Sequence, residues 1–452
     1  MKASQGFLGL TLMAAGLAAQ AGGRPSEVLS GIAGGREFVA GEMLVEFRPE
    51  ASENARKSAL AAIGGQLLSK VRGAVAAEGK GDLHVVRLPL AVTLTRAVEV
   101  LSASRDIEFA EPNWIYRHAA VSNDPFYTSN QLFGMYGDAT TPANAFGSQA
   151  GEAWARGNIC GSRPFIGIID EGLMDAHEDL AANSWSNPFD PVNGRDDDGN
   201  GYVDDIRGYD FANNDNSTFD GTTDDHGTHV SGTAAGRGGN GIGVAGVCWQ
   251  AQLISAKFLG RNGGTTANAI RAVDYLTDLK VRHGLNIVAS NNSWGGGGFS
   301  QGLKDAIDRA GNANILFVAA AGNESNNNDV NASYPSGYDS DNIIGVAAIS
   351  STGALASFSN YGATTVDIGA PGVAINSTVP LSSRGRVISG YASYNGTSMA
   401  TPHVCGSAAL YASSHPGATA AQIKAAILAS AMPTPSLQGR VLTNGRLNAS
   451  GF

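Results

Sequence analysis

The sequence predicts an α/β protein in which a mostly parallel sheet, covered on both faces, follows a small α+β module. Two observations carry this reading. From about residue 150 onward, continuous apolar runs of strand length alternate with helical runs, the pattern of parallel strands buried on both faces. Before that, residues 36–120 show a shorter rhythm, β-α-β-β-α-β, of ferredoxin-like form. Composition agrees: 452 residues, 43% hydrophobic and 15% charged, suffice for a large core and more than one domain. A net charge of −10 argues against a nucleic-acid surface and leaves room for bound cations.

The first residues, MKASQGFLGLTLMAAGLAAQAGG, join one Lys to an apolar stretch from Phe7 to Ala19, with small residues at Ala19 and Ala21. This reads as a signal peptide over 1–21, too short to span a membrane as a helix. No other window approaches a span, so a secreted protein without a membrane anchor is expected. Residues 22–35 read as a Gly-rich link. In 36–120, MLVEF (43–47) alternates as a strand, SENARKSALAAI (52–63) is helical, and 66–71 is a weak strand. LHVVRL (83–88) is a strand, TLTRAVEVLSAS (93–104) a second helix, and DIEFAEP (106–112) the last strand. The turn-rich VSNDPFYTS then marks an exposed boundary, and 121–452 forms the main domain.

Strands of that domain are predicted at FIGIID (165–170), 251–259, 285–293, 314–323, 342–349 and 366–371, with helices at 265–280 and 300–312 among the connections. Such sheets bind ligands at the carboxyl ends of their strands. FIGIID ends in two acids, Asp170 and Glu171, and a desolvated carboxylate needs a partner. Cysteine is sparse: Cys160, Cys248 and Cys405. Cys405 falls in an Ala/Gly-rich run that reads as a buried helix and is taken as inert. Cys160 and Cys248 each precede an apolar strand and could pair if those strands are neighbours.

Three segments place polar groups at strand or helix ends: IIDEGL, DDHGTHVSGTAAG (224–236) and NGTSMATPHVCGSAAL (395–410). Hydrolysis through a serine needs a nucleophile, an imidazole to take its proton, and a carboxylate to fix the imidazole tautomer. The segments supply one of each. Ser398 sits where a helix would begin, at its positive end, and Pro402 falls near the first turn, where few N–H groups have helical partners.

At these motifs the chain resembles the subtilase family of serine peptidases, over roughly residues 121–452 and in the chain order Asp, His, Ser. The resemblance implies a subtilisin-like three-layer fold, with Asp170 as carboxylate, His226 as general base and Ser398 as nucleophile. ILFVAAAGNES (315–325) resembles the family's oxyanion motif, which implies Asn323 as a donor, beside Gly322. SNNSWGGGG (290–298) places Ser293, Trp294 and Gly295 where similar enzymes present an edge to an extended peptide. The resemblance makes 36–120 an inhibitory propeptide, cut near His118 to Val121 by the enzyme itself. Kexin-like members carry a second acid after the triad carboxylate and favour basic residues beside the cleavage site, which implies Glu171 as a subsite residue facing the penultimate substrate side chain; a solvated glutamate at a strand end is the plain alternative.

Two calcium sites are expected. GRDDDGNGYVDD (194–205) sets Asp196, Asp198, Asn200, Tyr202 and Asp204 or Asp205 around a glycine turn, an oxygen-only donor set that suits calcium; a solvated acidic loop is the plain alternative. The other follows from the resemblance, with Asp124, Asp179, Asn240 and the carbonyls of Ile242 and Val244. The partners expected are protein or peptide substrates and the propeptide, with no nucleic acid, on a monomer. A catalytically silent subtilase-like binding protein is the rival reading. An esterase is the weaker one, because GTSMA lacks the GxSxG elbow.

Overall fold

The computed structural model describes residues 23–34, 36, 38–71, 81–115 and 121–452. The segment read as a signal peptide, and most of the expected cleavage region near His118 to Val121, lie outside the described residues. The chain divides into two compact units, Met1–Arg117 and His118–Phe452.

In the first unit, α1 (Pro25–Ala33) precedes β1 (Phe38–Phe47), α2 (Glu53–Ala62), β2 (Gln66–Lys70), β3 (Asp82–Arg87), α3 (Leu94–Ser102) and β4 (Ile107–Trp114). The sheet runs β2-β3-β1-β4 with antiparallel neighbours. Met43, Val45 and Phe47 alternate inward from β1, and meet Leu94, Ala97, Val98 and Leu101, which share one face of α3 by their helical spacing. Ser52 and Thr93 cap α2 and α3 by accepting from Ala55 N and Arg96 N. One expectation needs correcting: much of the 22–35 link is the helix α1, whose Val28 is buried in this unit's core. Pro25 at the first helical position favours that start.

The second unit begins with two short helices, α4 (Pro125–Thr128) and α5 (Ala150–Ala155). There follow β5 (Phe165–Asp170), β6 (Gly208–Asp210), α6 (Asp225–Ala235), β7 (Gln252–Lys257), α7 (Thr266–His283), β8 (Ile287–Asn292), α8 (Gln301–Asn312), β9 (Leu316–Ala320), β10 (Ile343–Ile349) and β11 (Ile368–Pro371). A hairpin, β12 (Ile375–Ser383) and β13 (Arg386–Tyr394), leads into α9 (Thr397–Ser414), α10 (Ala420–Ala429) and two short strands, β14 (Met432–Pro433) and β15 (Gly445–Arg446). The sheet order is β14-β15-β11-β10-β9-β8-β5-β7-β6, parallel except for the edge strand β14. Alternate residues of the central strands face two cores. Ile166, Ile168, Leu316 and Val318 pack toward α6 and α9, whereas Ile169, Phe317 and Ala319 pack toward α7 and α8. This is the three-layer α/β arrangement the sequence predicts.

β5 has β7 on one side and β8 on the other, so the chain changes direction across the sheet beside it. A crevice at the carboxyl ends of the strands is expected there, and Asp170 stands at that end. Because β5 and β7 are neighbours, Cys160 and Cys248 come together ahead of them and form a disulfide, with Cα atoms 5.5 Å apart. Closing a loop of 88 residues stabilises the fold by about 4.6 kcal/mol in the chain-entropy model. Cys405 is buried in α9 as a free thiol.

Candidate active site

Asp170 ends β5 fully buried, and α6 begins one residue before His226. The imidazole Nδ1 lies 2.9 Å from Asp170 Oδ1, which also accepts from Glu171 N at 2.8 Å. A carboxylate at Nδ1 holds the proton there and leaves Nε2 as the basic nitrogen. Burial works against a charged imidazole. The charge and hydrogen bond of Asp170, joined by Glu171 and Asp225, outweigh it and raise the His226 pKa to about 9. The other histidine of the motif, His229, is buried against the hairpin, where it faces the Ile375 and Ala392 carbonyls and stacks on Tyr394 at 4.4 Å. Burial pushes it down to about 3, so it stays neutral.

Ser398 occupies the first turn of α9. Its hydroxyl donates to the Ser293 carbonyl at 3.1 Å, and the Ser293 hydroxyl donates to the Ser398 carbonyl at 2.8 Å. That second bond has a cause in the sequence. Pro402, four residues on, has no N–H to give the Ser398 carbonyl, and the Ser293 hydroxyl takes the vacated place. Pro402 therefore lies in the second turn, not the first, and its missing bond is satisfied from outside the helix.

Asn323 follows β9. Its side-chain oxygen accepts from Thr397 N at 2.9 Å and from the Thr397 hydroxyl at 3.0 Å, with the amide orientation assigned by that network. The amide N–H₂ is thereby turned away from Thr397. His226, Asn323, Ser398, Tyr394, Asn395 and Met399 line one cavity of about 420 Å³. The structure thus gathers His226, Ser398 and Asn323 around one space, with Asp170 behind the histidine. Tyr394 and Asn395 were not named as site residues, although Asn395 opens the 395–410 segment and Tyr394 immediately precedes it.

The expected substrate edge follows β8. Ser293 is buried and its hydroxyl is spent on the Ser398 carbonyl, which leaves its backbone as the part that an edge would present. Trp294 packs on Phe258 and Phe317, and Gly295 continues the segment toward Tyr334. Gly322 has φ +110°, and a Cβ there would come within 2.3 Å of Asn360 Nδ2. Glu171 is pushed up to about 7 by burial and by the Asp170 charge. It lines a neighbouring cavity of about 500 Å³ with Asp220, Asp224, Asp225, Lys257 and Arg261.

Of the expected cation ligands, Asp124, Asp179, Asn240 and the 242–244 segment come together. Asp179 accepts from Asn240 Nδ2, Val244 N and the Tyr391 hydroxyl at 2.8–2.9 Å. Asp124 accepts from the backbone N–H groups of Gly239, Asn240 and Gly241. Both carboxylates are fully buried, and among the described residues neither forms an ion pair with Lys or Arg. Burial, with Asp124 adding, raises Asp179 to about 6. The groups that face these carboxylates are N–H donors and hydroxyls, and Asn240 Oδ1 accepts from Ile242 N, so the two buried carboxylates are the part of the expected calcium donor set that is brought together.

In the acidic loop, Asp196 accepts from the N–H groups of Gly199, Asn200 and Gly201, and Asp198 meets His283 at 3.1 Å. Asn200 and the Tyr275 hydroxyl both reach Asp205, which burial raises to about 6. Asp204 turns instead to Asn193 N and Gly194 N, and the Tyr202 ring packs among Tyr209, Phe211 and Tyr275. Asp190, overlooked in the sequence, is fully buried and accepts from Asp197 N and Asp205 N. Among the described residues, the three ionisable groups close enough to share one ion are Asp170, Glu171 and His226.

Comparison with known proteins bears on the fold and the family. Residues 161–451 match the sequence model of the subtilase family, and residues 27–113 match that of the fervidolysin N-terminal prodomain. A thermophilic serine proteinase of Bacillus sp. (strain AK1) is 32% identical over 380 residues, which is 83% of this chain and 79% of that one. An extracellular basic protease of Dichelobacter nodosus is 33% identical over 358 residues, 74% of this chain and 55% of that one. Among solved structures, proteases from Pseudoalteromonas arctica superpose with a TM-score of 0.58 at 28% identity, covering 73% of this chain and 98% of theirs.

Proposed function

The chain belongs to the subtilase family of serine endopeptidases, and from that membership we propose that Asp170, His226 and Ser398 are its triad, that Asn323 completes its oxyanion hole, and that the enzyme is secreted as a self-processed precursor. The observation that carries the triad is the 2.9 Å contact between His226 Nδ1 and Asp170, beside a cavity that His226 shares with Ser398 and Asn323. An extended substrate lies along Ser293–Gly295 as an added strand. The Ser398 hydroxyl turns from the Ser293 carbonyl toward His226 Nε2. Its oxygen then attacks the scissile carbonyl carbon as Nε2 takes the proton. The carbonyl oxygen, now an oxyanion, receives the Asn323 N–H and the Ser398 backbone N–H. When the C–N bond breaks, the imidazolium gives its proton to the leaving amine, and water later hydrolyses the acyl-enzyme by the same route.

The match to a prodomain over residues 27–113 supports an intramolecular inhibitor. Secretion is supported by the extracellular relative and by the signal-like pattern at residues 1–21. Among the described residues no helix is long and apolar enough to cross a membrane. Calcium is assigned to the Asp124/Asp179/Asn240 cluster and to the 190–205 loop, where it would supply the positive charge that the buried carboxylates lack. A fluorophosphonate probe should label Ser398, casein should be cut, and Ser398→Ala should leave the precursor intact. Labelling elsewhere, or processing by the purified Ser398→Ala protein alone, would refute the reading, and a folded protein that neither labels nor cuts casein would be a silent binding protein.

A further inference from the structure

The most unusual side chain outside the triad is Lys257, a lysine only 1% exposed at the end of β7. The strand register sets it beside Asp170, and both side chains point to the α6 face of the sheet. Its ammonium is 2.6 Å from Asp220, 3.0 Å from Asp224 and 3.7 Å from Asp210. Asp224 is the residue that caps α6, two positions before His226. An aspartate there would ordinarily accept from the helix N–H groups. Here its carboxylate makes no such bond and turns to Lys257 and to Asp220 N instead.

The turn after Asp170 is shaped around that contact. Gly172 has φ +114°, and a Cβ there would stand 3.0 Å from Lys257 Cδ and 2.4 Å from the Thr218 carbonyl. On its other side, a Cβ at Gly227 would meet the Gly172 carbonyl at 2.0 Å. The start of the histidine helix is therefore pressed directly on the exit of β5, and the Thr218 carbonyl, the lysine stem and the Asp224 carboxylate close the space that a side chain at 172 would occupy. We propose that Lys257 is a positioning residue: by gripping Asp224 and Asp220 it holds the first turn of α6 against the 170–172 turn and sets the approach of His226 to Asp170. This rests on the triad reading above.

Two readouts separate the proposal from that reading. In the mature wild-type enzyme, the low-field proton between His226 Nδ1 and Asp170 reports the geometry by NMR whether or not the protein cuts peptides; absence of fluorophosphonate labelling counts against the triad reading alone. Lys257→Met removes the grip, Asp224→Asn weakens it at the helix start without leaving an unpaired lysine, and Asp210→Asn removes a charge from the same cluster but not from the segment leading to His226. The expected result is a lost or broadened low-field proton in Asp224→Asn, and in Lys257→Met if it folds. It comes with about a ten- to hundredfold fall in kcat per titrated active site and little change in KM. Asp210→Asn should behave as wild type. A wild-type resonance and wild-type kcat per titrated site in folded Asp224→Asn, or an equal loss in Asp210→Asn, would overturn the proposal, because a purely structural lysine changes stability and the folded fraction but not the chemistry of the sites that fold.

Discussion

Ser293 and Ser398 hold one another at two points: the Ser398 hydroxyl donates to the Ser293 carbonyl, and the Ser293 hydroxyl donates to the Ser398 carbonyl left free by Pro402. The proposed nucleophile is thus anchored from the segment that follows β8 rather than by its helix alone. Ser293→Ala keeps the backbone acceptor but leaves the Ser398 carbonyl without its donor, which costs about 1–3 kcal/mol. If that cost falls on the placement of the nucleophile, kcat drops roughly five- to hundredfold with KM nearly unchanged. Steady-state kinetics on a short peptide amide check this, and a KM effect alone would return Ser293 to the role of a substrate contact.

Asn323 offers a sharper comparison, because its two ends have separate tasks. Its oxygen is occupied by Thr397 N and the Thr397 hydroxyl, so the amide N–H₂ remains for the oxyanion. Asn323→Ala removes that donor, and a loss of about a hundred- to thousandfold in kcat is expected, the size known for such a change in a subtilisin. Asn323→Asp keeps both contacts to Thr397 but presents an oxygen to the developing negative charge, so it should be at least as damaging as alanine. A mild aspartate variant would show that Thr397, and not the oxyanion, is what Asn323 serves.

Glu171 couples the pH profile to specificity. As the proposed base, His226 must be neutral to act, so its pKa, raised to about 9, is expected to put the acid limb of kcat/KM in the alkaline range. Glu171, raised to about 7, is ionised there and favours the imidazolium. Glu171→Gln removes that charge, so the limb should move to lower pH. The same carboxylate lines a cavity with Asp220, Asp224, Asp225, Lys257 and Arg261, and Lys257 already pairs with Asp220 and Asp224, so the proposed preference for lysine over alanine at the penultimate substrate position rests on Glu171 and Asp225. The variant should lose that preference as measured with paired peptides. An unmoved limb together with unchanged Lys/Ala ratios would leave Glu171 as a bystander.

What the sequence disclosed, and what it hid, follows from the physics of each residue. Asp170 was legible because a strand buried on both faces has no other reason to end in a carboxylate. His226 and His229 were equally visible in HGTH, and the contact with Asp170 on one side and burial against the hairpin on the other separate the proposed base from its neutral neighbour. The hairpin itself was not foreseen: residues 381–388 are exposed on both faces, so its strands lack the alternation that marks a half-buried sheet. Lys257 sat inside an apolar run, where a lone lysine suggests a side chain reaching solvent; its three partners lie 33 to 47 residues away in sequence. In the 22–35 segment the glycines masked the helical spacing of Val28, Leu29 and Ile32.

Calcium removal tests the buried acids through the sign of its pH dependence. Asp124 and Asp179 are buried together with no cationic side chain paired to them among the described residues, and the Asp179 pKa of about 6 lies above its ordinary value of 3.8. A group whose folded pKa is raised binds more protons in the folded state, so its contribution to stability is lost as pH rises from about 4 through 6. The ion-free protein is therefore penalised most above pH 6, where Asp179 must carry its charge uncompensated. A bound calcium ion offsets that charge, and its stabilisation grows with occupancy, to about 2.7 kcal/mol at a hundred times Kd. Excess chelator should lower Tm by several degrees at pH 8 and by clearly less at pH 5, while Asp179→Asn should shrink the pH 8 effect by weakening the site. Equal Tm values with and without chelator at pH 8 would remove calcium from the account, and an equal fall at both pH values would mean that the ion is held by acids other than Asp179.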